Sequence, residues 1–298
     1  MRVKLIDIDS TMPNLALMKL SAYHKKNGDT VGFNVCDPEK VYVSVVFAEN
    51  KWKAEGQRVW FPNTEVVIGG SGYDLQSKLP DEVEHIMPDY SLYPDCDYSM
   101  GFATRGCIRK CKFCIVPKKE GKLTRNCGIY EFWNTEHKHI MLLDNNILGD
   151  PEHFFFVTDQ ILKENLSVDF NQGLDMRLVS DEIAKRLHEL RVKPSLRFAW
   201  DDRKDEKWVR RCIDVLQRNG IKRGLWYVLV GFNSSRDDDL YRLNTLKDLG
   251  QRAYVMRYRE NTNGVRWYND LAAWANQQSF FMSLSFDDFV VKRHNRGS

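Results

Sequence analysis

The sequence lacks any apolar run of the roughly 18 residues that a membrane-spanning helix needs, so it predicts no membrane partner. It also lacks the apolar core of a signal peptide, because Asp7 and Asp9 lie close to its start. Its seven cysteines are an odd number and three of them cluster, which argues against a disulfide framework. These absences predict a protein of the reducing cytoplasm.

The composition is that of an ordinary globular protein, and its charge is unevenly distributed. The 298 residues suffice for one large domain or for a small domain joined to a medium one. Residues 1–104 carry 10 Lys and Arg against 15 Asp and Glu, whereas residues 105–298 carry 34 against 26. Basic residues concentrate between Arg105 and Arg125. They either compensate an anionic group bound nearby or bind an anionic partner such as a nucleotide or nucleic acid.

Three cysteines cluster within this basic segment. Cys107, Cys111 and Cys114 have the spacing C-x3-C-x2-C, and no fourth cysteine follows nearby. Three thiolates suit a [4Fe-4S] cubane in which one iron has no protein ligand, whereas a structural zinc site normally has four protein ligands. The spacing therefore predicts an iron–sulfur cluster with one iron open to a further ligand.

Two other interpretations of the cysteines are open. Cys111 and Cys114 resemble half of a zinc knuckle, which His137 or His139 would complete. Alternatively, the thiols are buried and inert. The cations at 109, 110 and 112 argue against inert thiols, because positive charge lowers a thiol pKa and favours the metal-binding thiolate.

With Phe113 immediately before the last cysteine, the segment resembles the cluster-binding loop of the radical S-adenosylmethionine (radical SAM) superfamily. The resemblance implies that the open iron is chelated by the amino and carboxylate groups of S-adenosylmethionine. It implies that one electron from the cluster cleaves the sulfonium to give a 5′-deoxyadenosyl radical, which abstracts a hydrogen atom from a substrate. It also implies an electron donor such as flavodoxin or ferredoxin. The substrate and any further catalytic residue stay unassigned, because a fold alone does not specify them.

Residues 1–79 are predicted to form a compact α/β domain. Strands are predicted over 3–8, 30–35, 41–47 and 65–68, and a helix over 14–26. The last of these strands ends in a glycine-rich turn. Residues 80–97 are predicted to be a linker to a second domain, because three prolines lie between Pro80 and Pro94.

This first domain resembles the Rossmann-like N-terminal domain of radical SAM enzymes that bind cobalamin. The chain departs from that pattern because it has no D-x-H-x-x-G loop to supply a histidine to cobalt. The segment between Phe47 and Glu65 is also short for a full helical crossover. Cobalamin can be held without that histidine, so it is an alternative cofactor that the sequence does not favour. We expect the trimmed domain to act as a scaffold or as a lid over the substrate.

From residue 98 onward, strand and helix patterns alternate in six βα units. Strands are predicted over 98–104, 139–143, 167–170, 195–200, 225–230 and 253–258, and helices over 129–137, from 150, and over 181–190, 204–218, 237–249 and 265–277. Such alternation implies a parallel sheet with right-handed crossovers. The predicted fold class is therefore α/β, a Rossmann-like domain plus a (β/α)6 partial TIM barrel over 98–280, similar to the radical SAM core. Residues 281–298 are predicted to be a C-terminal extension.

Reactive groups of parallel βα barrels sit at the C-terminal ends of the strands. Asp144, Asn145 and Asn146 follow the second barrel strand, where the family holds the methionine ammonium, and they supply acceptors for it. A turn built on Asx side chains is the alternative. Gly231, after the fifth strand, resembles the glycine that lets the family's backbone approach adenine. Phe113 is a second candidate for contact with adenine, with simple packing as its alternative.

Polar residues after the third strand and along the fourth are predicted to contact the cofactor or the substrate: Asn171, Gln172, Arg177, Arg197 and Asp201. The two amides suit ribose hydroxyls or substrate. Arg177 and Arg197 are candidates for the methionine carboxylate, because a guanidinium binds a carboxylate at two points. A salt bridge from Arg177 to Asp175 or Asp181 is the alternative.

The stretch from Arg252 to Arg296 interleaves aromatic residues with cations. Such residues serve base stacking and phosphate contact, or they form the packing face of a last helix. Two rival functions follow from these patterns. One is a cobalamin-dependent methyltransferase of the same superfamily. The other is a non-catalytic, metal-stabilised protein that binds nucleic acid. A second cluster is not predicted, because only Cys36 and Cys96 precede the three clustered cysteines.

Overall fold

Helices and parallel strands alternate along the chain, so the protein is α/β, as the sequence predicts. The structure is a computed structural model that describes residues 1–295. It divides into an N-terminal unit, residues 1–143 with 164–166, and a C-terminal unit, residues 144–163 with 167–295. Within residues 1–295, every helix is too short or too polar to cross a bilayer. The predicted domain boundaries at residues 79, 97 and 280 rest on the sequence pattern and stay predictions.

The strands of the N-terminal unit are β1 (Arg2–Asp7), β2 (Thr30–Gly32), β3 (Lys40–Ser44), β4 (Glu65–Gly69), β5 (Ser99–Gly101), β6 (Thr104–Arg105), β7 (Thr124–Arg125) and β8 (His139–Leu142). Its α-helices are α1 (Leu15–Lys26), α2 (Lys51–Trp60), α3 (Asp81–Glu84) and α4 (Val116–Lys119). Strands β2, β1, β3 and β4, in that order, form a parallel sheet. The predicted strands and the predicted first helix therefore lie where the sequence places them, although β2 and β3 are shorter.

The core of this sheet consists of branched aliphatic side chains. Val41 and Val43 of β3 pack with Val66 and Ile68 of β4, and all four are buried. Helix α1 begins where the sequence indicates, because the side chain of Asn14 accepts a hydrogen bond from the backbone N–H of Leu17 at 3.2 Å. Burial of β-branched residues on a parallel sheet thus fixes the first part of the chain.

A complete helix connects β3 to β4, although the sequence predicts that this segment is short for a helical crossover. Helix α2 buries only Ala54, whereas Trp52, Val59 and Trp60 are 68%, 80% and 78% exposed. The exposed face carries the largest apolar side chains of the helix. In most helices the large apolar residues face the core, whereas in α2 they face solvent and a small residue faces the core.

The rest of the N-terminal unit holds two smaller strand pairs. Strands β5 and β8 are parallel, and β6 and β7 form an antiparallel pair. The helix predicted over 129–137 is wrong, because only a 3-10 turn at Ile129–Glu131 forms there. The hydroxyl of Tyr90 donates to the carbonyl of Phe132 at 2.5 Å, and the indole N–H of Trp133 donates to the carbonyl of His137 at 3.0 Å. These contacts hold the chain in an irregular path.

The C-terminal unit contains, in chain order, α5 (Pro151–Lys163), β9 (Ser167–Phe170), α6 (Asp181–Glu189), β10 (Arg191–Val192), β11 (Arg197–Ala199), α7 (Glu206–Arg218), β12 (Leu225–Val230), α8 (Arg236–Asp248), β13 (Arg252–Arg257), α9 (Arg259–Thr262), α10 (Arg266–Ala275), α11 (Gln278–Ser283) and α12 (Phe286–His294). Strands β9 and β10 pair in parallel, and β11, β12 and β13 form a parallel sheet. Trp226 lies in register between Phe198 and Ala253, and all three are fully buried. Alternate residues of this sheet therefore build the core of the unit.

The predicted C-terminal extension is helical up to residue 294. Helices α11 and α12 follow the helix that the sequence predicts to be the last, and Phe281, Phe286 and Phe289 are buried. Trp274 packs on Phe281 with a ring-centroid distance of 5.0 Å. Much of the aromatic content of this stretch is thus core, as the packing interpretation requires. Residues 296–298 of the predicted extension, including Arg296, lie outside the described residues.

Candidate functional site

The cysteines lie on a loop that the β6–β7 hairpin closes. Gly106 has a φ of +76°, and a Cβ at this position would overlap the carbonyl oxygen of Lys122. The backbone N–H of Cys107 donates to the carbonyl of Gly121 at 3.3 Å. The two ends of the loop are therefore held together by main-chain contacts that only glycine permits at residue 106.

The thiols of Cys107, Cys111 and Cys114 are each half-buried. The backbone N–H of Arg109 donates to the sulfur of Cys107 at 3.3 Å, and the N–H of Cys114 donates to the carbonyl of Cys111 at 3.1 Å. Within residues 1–295, however, no group of three or more His, Cys, Asp or Glu side chains is arranged to hold a metal ion. The same search covers the zinc site that Cys111 and Cys114 would form with His137 or His139. A ring nitrogen of His137 instead lies 3.0 Å from the hydroxyl of Ser99.

The loop is flanked by exposed cations and apolar side chains. Lys110 and Lys112 are exposed, and Ile108 and Ile115 are 46% and 51% exposed. Phe113, the candidate for adenine contact, is half-buried on the same loop. The basic segment that the sequence predicts is therefore a surface of the N-terminal unit.

Glu84 joins two cations beside this loop, a contact that sequence reasoning missed. Its carboxylate lies 2.5 Å from the guanidinium of Arg105 and 3.1 Å from the ammonium of Lys19, which is 7% exposed. Arg105 also lies 3.4 Å from Glu120. Burial acts to raise the pKa of Glu84, but the positive charges of Arg105 and Lys19 outweigh burial and hold this pKa below its usual value. Lys19 and Glu84 are 65 residues apart in the sequence, so no local sequence pattern could have indicated their ion pair.

We expect Glu84→Gln to destabilise the protein at neutral pH by about 1–3 kcal/mol, because two cations lose their shared anion. A carboxyl with a lowered folded-state pKa stabilises the fold above its unfolded pKa of about 4.3, and this contribution is lost as pH falls through the folded-state pKa. The difference between the wild type and the variant should therefore shrink below about pH 4. Urea unfolding at several pH values measures it. Glu39→Gln, at an exposed pair, is the control and should change stability little. A difference that is constant with pH would contradict the role of Glu84.

A cavity of about 770 Å³ opens within the N-terminal unit, against the face of the sheet that α1 covers only in part. Tyr42 and Ser44 of β3, Val67 of β4 and Leu79 are among its lining residues. The segment after β4 runs into α3, which has one turn, so no long helix covers this part of the sheet. The cavity therefore lies where no long helix follows β4.

In the C-terminal unit, the Asx segment after β8 is largely buried. Asp144 is 4% and Asn146 is 3% exposed, and the amide of Asn146 donates to Asp175 at 3.3 Å. The amide nitrogen of Asn145 is buried and has no hydrogen-bond partner in the described structure. A buried donor without an acceptor costs free energy, so this atom is suited to a ligand that supplies one. Because Nδ2 donates, it matches a carboxylate or a hydroxyl better than the ammonium predicted from the sequence.

The two arginine candidates already have acidic neighbours. Arg177 lies 3.2 Å from Asp175 and 3.6 Å from Asp205, so one of the two salt bridges considered for it forms. The other does not, because Asp181 pairs with Arg218 at 2.5 Å. Arg197 forms an ion pair with Asp169, and both side chains are largely buried. Neither guanidinium is held apart from carboxylates of the protein itself.

Gly231 is fixed by the chain around it. Its N–H donates to the buried carboxylate of Asp239 at 3.0 Å, its φ is +76°, and a Cβ would overlap the methyl group of Thr262. Asn171 and Gln172 lie in the turn after β9, half-buried and exposed respectively. The positive φ explains the glycine at 231 by backbone geometry alone.

Asp201 has the most unusual environment of the sequence candidates in the C-terminal unit. Its carboxylate accepts the N–H of Leu229 at 3.3 Å, and burial raises its pKa to about 6, although Arg242 and Arg177 act in the opposite direction. Arg242 itself is fully buried and donates to the carbonyl of Trp200 at 2.6 Å. A carboxyl that titrates near neutral pH at the end of a parallel strand is a candidate for substrate contact.

The sequence matches no protein-family model and no curated protein.

Proposed function

We propose that this chain is a radical SAM enzyme in which Cys107, Cys111 and Cys114 hold a [4Fe-4S] cluster. When bound, such a cluster would supply one electron to the sulfonium of S-adenosylmethionine, which would break the C5′–S bond and give methionine and a 5′-deoxyadenosyl radical. That radical would take a hydrogen atom from a substrate and become 5′-deoxyadenosine. An electron donor such as flavodoxin or ferredoxin reduces the cluster. The C-x3-C-x2-C spacing on one loop is the observation that carries the proposal.

The residues of the loop fit this cluster in kind. Thiolates are the ligands that iron–sulfur clusters take, and Lys110 and Lys112 supply positive charge beside an anionic group. The loop ends are fixed by Gly106, so the segment that carries the three sulfurs is closed by the main chain.

The chain's candidates for S-adenosylmethionine divide by the chemistry that they offer. Asp144 supplies a buried acceptor for the methionine ammonium, and the unpartnered amide of Asn145 supplies a donor for the carboxylate or for a ribose hydroxyl. Arg177 and Arg197 would have to exchange an existing acidic partner for the carboxylate. We therefore place Asn145 before the two arginines as a cofactor contact, and Asp144 is a candidate by its position after β8.

We further propose the Rossmann-like domain and the (β/α)6 partial TIM barrel as the architecture of this enzyme. The strand order β2-β1-β3-β4 with parallel pairing supports the first. Parallel pairs β5–β8, β9–β10 and β11–β12–β13 support the second, with α5 between β8 and β9, α6 between β9 and β10, α7 between β11 and β12, and α8 between β12 and β13. The cysteine loop follows the first strand of that series, where the family carries its cluster.

Anaerobic reconstitution with iron and sulfide tests the proposal. We expect the values typical of a [4Fe-4S] protein, about four irons per chain and an absorbance band near ~400 nm. We also expect 5′-deoxyadenosine to form when S-adenosylmethionine and a reductant are added. A colourless chain that contains zinc and yields no 5′-deoxyadenosine would instead support the non-catalytic, metal-stabilised alternative.

A second candidate is a cobalamin-dependent radical SAM methyltransferase, and the cavity of about 770 Å³ in the N-terminal unit favours it. A cavity of this size accommodates a substantial part of a large organic cofactor. Its polar and apolar lining, which includes Ser44, Tyr42 and Val67, suits a ligand of mixed character. The missing D-x-H-x-x-G loop leaves the cobalt without a histidine from that motif.

We expect hydroxocobalamin to co-elute with the protein in gel filtration if this second candidate is correct. Val67→Trp should then abolish co-elution, because Val67 lines the cavity and a larger side chain would fill it. Val59→Trp is the matched control, since Val59 is 80% exposed on α2. Free elution of all corrinoid from the wild type would remove this candidate and leave the first one unaffected.

A further inference from the structure

Three ionisable side chains of the N-terminal unit form a hydrogen-bonded chain that ends at the cavity. Nδ1 of His24 lies 2.7 Å from a carboxylate oxygen of Asp29, and Nε2 lies 3.2 Å from the hydroxyl oxygen of Tyr42. His24 is 4% exposed, and Tyr42 lines the cavity of about 770 Å³. We call this chain of contacts the Asp29–His24–Tyr42 relay. The functions proposed above use neither its imidazole nor its carboxylate.

The end of helix α1 places Asp29 beside His24. Gly28 has a φ of +78°, and the chain turns there so that the N–H of Asp29 donates to the carbonyl of His24 at 3.0 Å. The N–H of Gly28 donates to the carbonyl of Lys25, also at 3.0 Å. These two bonds are the Schellman pattern of a helix that ends at a glycine. A local turn therefore aligns the carboxylate and the imidazole, and β3 supplies the tyrosine.

The direction of the hydrogen bonds in the relay follows from Asp29. Its hydrogen bond with His24 holds the pKa of Asp29 below its usual value, so the carboxylate is ionised at neutral pH and only accepts. The amino group of Met1 also donates to it, at 2.5 Å. Nδ1 of His24 therefore carries a hydrogen, which leaves Nε2 of a neutral imidazole as an acceptor. The hydroxyl of Tyr42 then donates to Nε2, and its oxygen keeps lone pairs for a further donor.

A cation lies beside the tyrosine at the cavity wall. Lys40 and Tyr42 are two residues apart on β3, so their side chains share the face of the sheet that lines the cavity. Nζ of Lys40 lies 5.3 Å from the centre of the Tyr42 ring. Burial acts to lower the pKa of Lys40, but its bond with Glu65 at 3.0 Å and the neighbouring Tyr42 outweigh burial and hold this pKa above its usual value. The phenol therefore has a permanent positive charge beside it.

We propose that the cavity binds a small organic molecule with an acidic hydroxyl, a phenol or an enol, and that Tyr42 takes the proton of that hydroxyl. The proton of the ligand moves to the Tyr42 oxygen as the proton of Tyr42 moves to Nε2 of His24. The O–H bonds of the ligand and of the tyrosine break, and a new O–H bond and a new N–H bond form. The products are a ligand oxyanion beside Lys40 and an imidazolium beside the Asp29 carboxylate, so each new charge has a counter-charge.

The rest of the lining suits the apolar body of such a molecule. The aliphatic residues around the cavity include Leu17, Leu20, Val67 and Leu79. Sites for small molecules commonly combine a mostly apolar wall with a few polar groups that fix the ligand. The phenol and the ammonium of β3 are such polar groups. This site lies within the N-terminal unit and needs no iron–sulfur cluster.

The test uses 4-nitrophenol, which ionises near neutral pH and absorbs visible light only as its phenolate. Equilibrium dialysis against the full chain, before any iron is added, gives Kd, and absorbance across a pH series gives the apparent pKa of the bound probe. We expect this pKa to lie at least about one pH unit below its value in water, because the ammonium of Lys40 favours an anion beside it. Tyr42→Phe removes the acceptor, so it should raise the pKa of the bound probe and weaken binding by about threefold to tenfold.

Two further variants separate proton transfer from packing. Tyr73→Phe is the matched control, because Tyr73 packs beside α2 and its hydroxyl also donates a hydrogen bond, to Glu55 at 2.6 Å. It should bind and ionise the probe as the wild type does. His24→Gln keeps a polar side chain at residue 24 but cannot become an imidazolium. It should therefore raise the pKa of the bound probe while it leaves Kd for the neutral probe nearly unchanged.

The inference is overturned if the wild type binds no 4-nitrophenol, if the bound probe ionises at the same pH as in water, or if Tyr42→Phe behaves like Tyr73→Phe. Displacement of the probe by hydroxocobalamin would assign the cavity to a corrinoid and would also overturn it. Circular dichroism confirms that each variant is folded. A chain that ionises the probe but takes up no iron counts against the proposed enzyme alone. A chain that cleaves S-adenosylmethionine but binds no probe counts against this site alone.

Discussion

Replacing any one of Cys107, Cys111 and Cys114 by alanine should abolish 5′-deoxyadenosine formation and sharply reduce iron uptake. A cubane held by three thiolates has no spare protein ligand, so the loss of one sulfur removes a bond that nothing else in the motif replaces. The effect should be close to complete at each position. Cluster loading is measured by iron and sulfide content and by absorbance near ~400 nm. Formation of 5′-deoxyadenosine is measured by chromatography of the reaction products.

Two other cysteines provide matched controls. Cys127→Ala tests a half-buried thiol of the same unit, and Cys36→Ala tests an exposed one. Both variants should load iron and cleave S-adenosylmethionine as the wild type does. Full retention of iron and activity in all three variants of the motif would end the proposal. Loss of activity in the control variants as well would indicate general unfolding rather than loss of a ligand.

The second large effect on stability and iron loading is expected at Gly106, where the two ends of the cysteine loop meet. Gly106→Ala places a methyl group onto the carbonyl oxygen of Lys122 at a residue whose φ is +76°. Backbone strain of this kind costs about 1–3 kcal/mol, and relief of the overlap must move main chain rather than a flexible side chain. We expect the variant to be less stable and to load little iron, because the loop ends no longer meet.

Gly121→Ala separates strain from steric overlap. Gly121 has a similar φ of +77°, but no atom lies within 4 Å of its hypothetical Cβ. It should therefore lose stability through its backbone conformation alone and retain more iron than Gly106→Ala. Chemical denaturation of the apoprotein and iron analysis after reconstitution give the two readouts. Equal iron loading by Gly106→Ala and the wild type would show that iron loading does not require the loop ends to be held together at Gly106.

Sequence patterns predict the fold best where a regular strand or helix buries one face. The strands Ser167–Phe170 and Leu225–Val230 have the predicted bounds, and the helix predicted from Asp150 and Pro151 begins at Pro151. In these segments the periodicity, the cap and the burial all agree, so local information is sufficient.

The sequence misleads where burial and periodicity disagree. Ile129, Phe132 and Trp133 have helical spacing and are buried, yet contacts with residues such as Tyr90 hold an irregular turn. Helix α2 shows the opposite case, because its apolar residues Trp52 and Trp60 are exposed. A single sequence does not show which apolar positions meet the core, so neither outcome could be predicted from it.

The candidate site is only partly predictable for a similar reason. Spacing predicts the three cysteines as a ligand set, because the chemistry proposed for them depends on short-range separation, and this stays a prediction. The ion pair between Lys19 and Glu84 joins residues 65 positions apart, and the Asp169–Arg197 pair joins two strands. Such contacts depend on the completed tertiary structure, and they decide which of the predicted polar residues have acidic neighbours.

The β6–β7 hairpin joins the two ends of the cysteine loop without a bound metal. Because β6, β7 and the Cys107–Gly121 contact join the loop ends through the main chain, the scaffold does not depend on a metal for its closure. On the proposed function, cluster insertion is then a local, post-translational event confined to one surface segment of a folded chain. Oxidative loss of the proposed cluster should therefore leave a folded apoprotein that can be loaded again, which repeated reconstitution would measure.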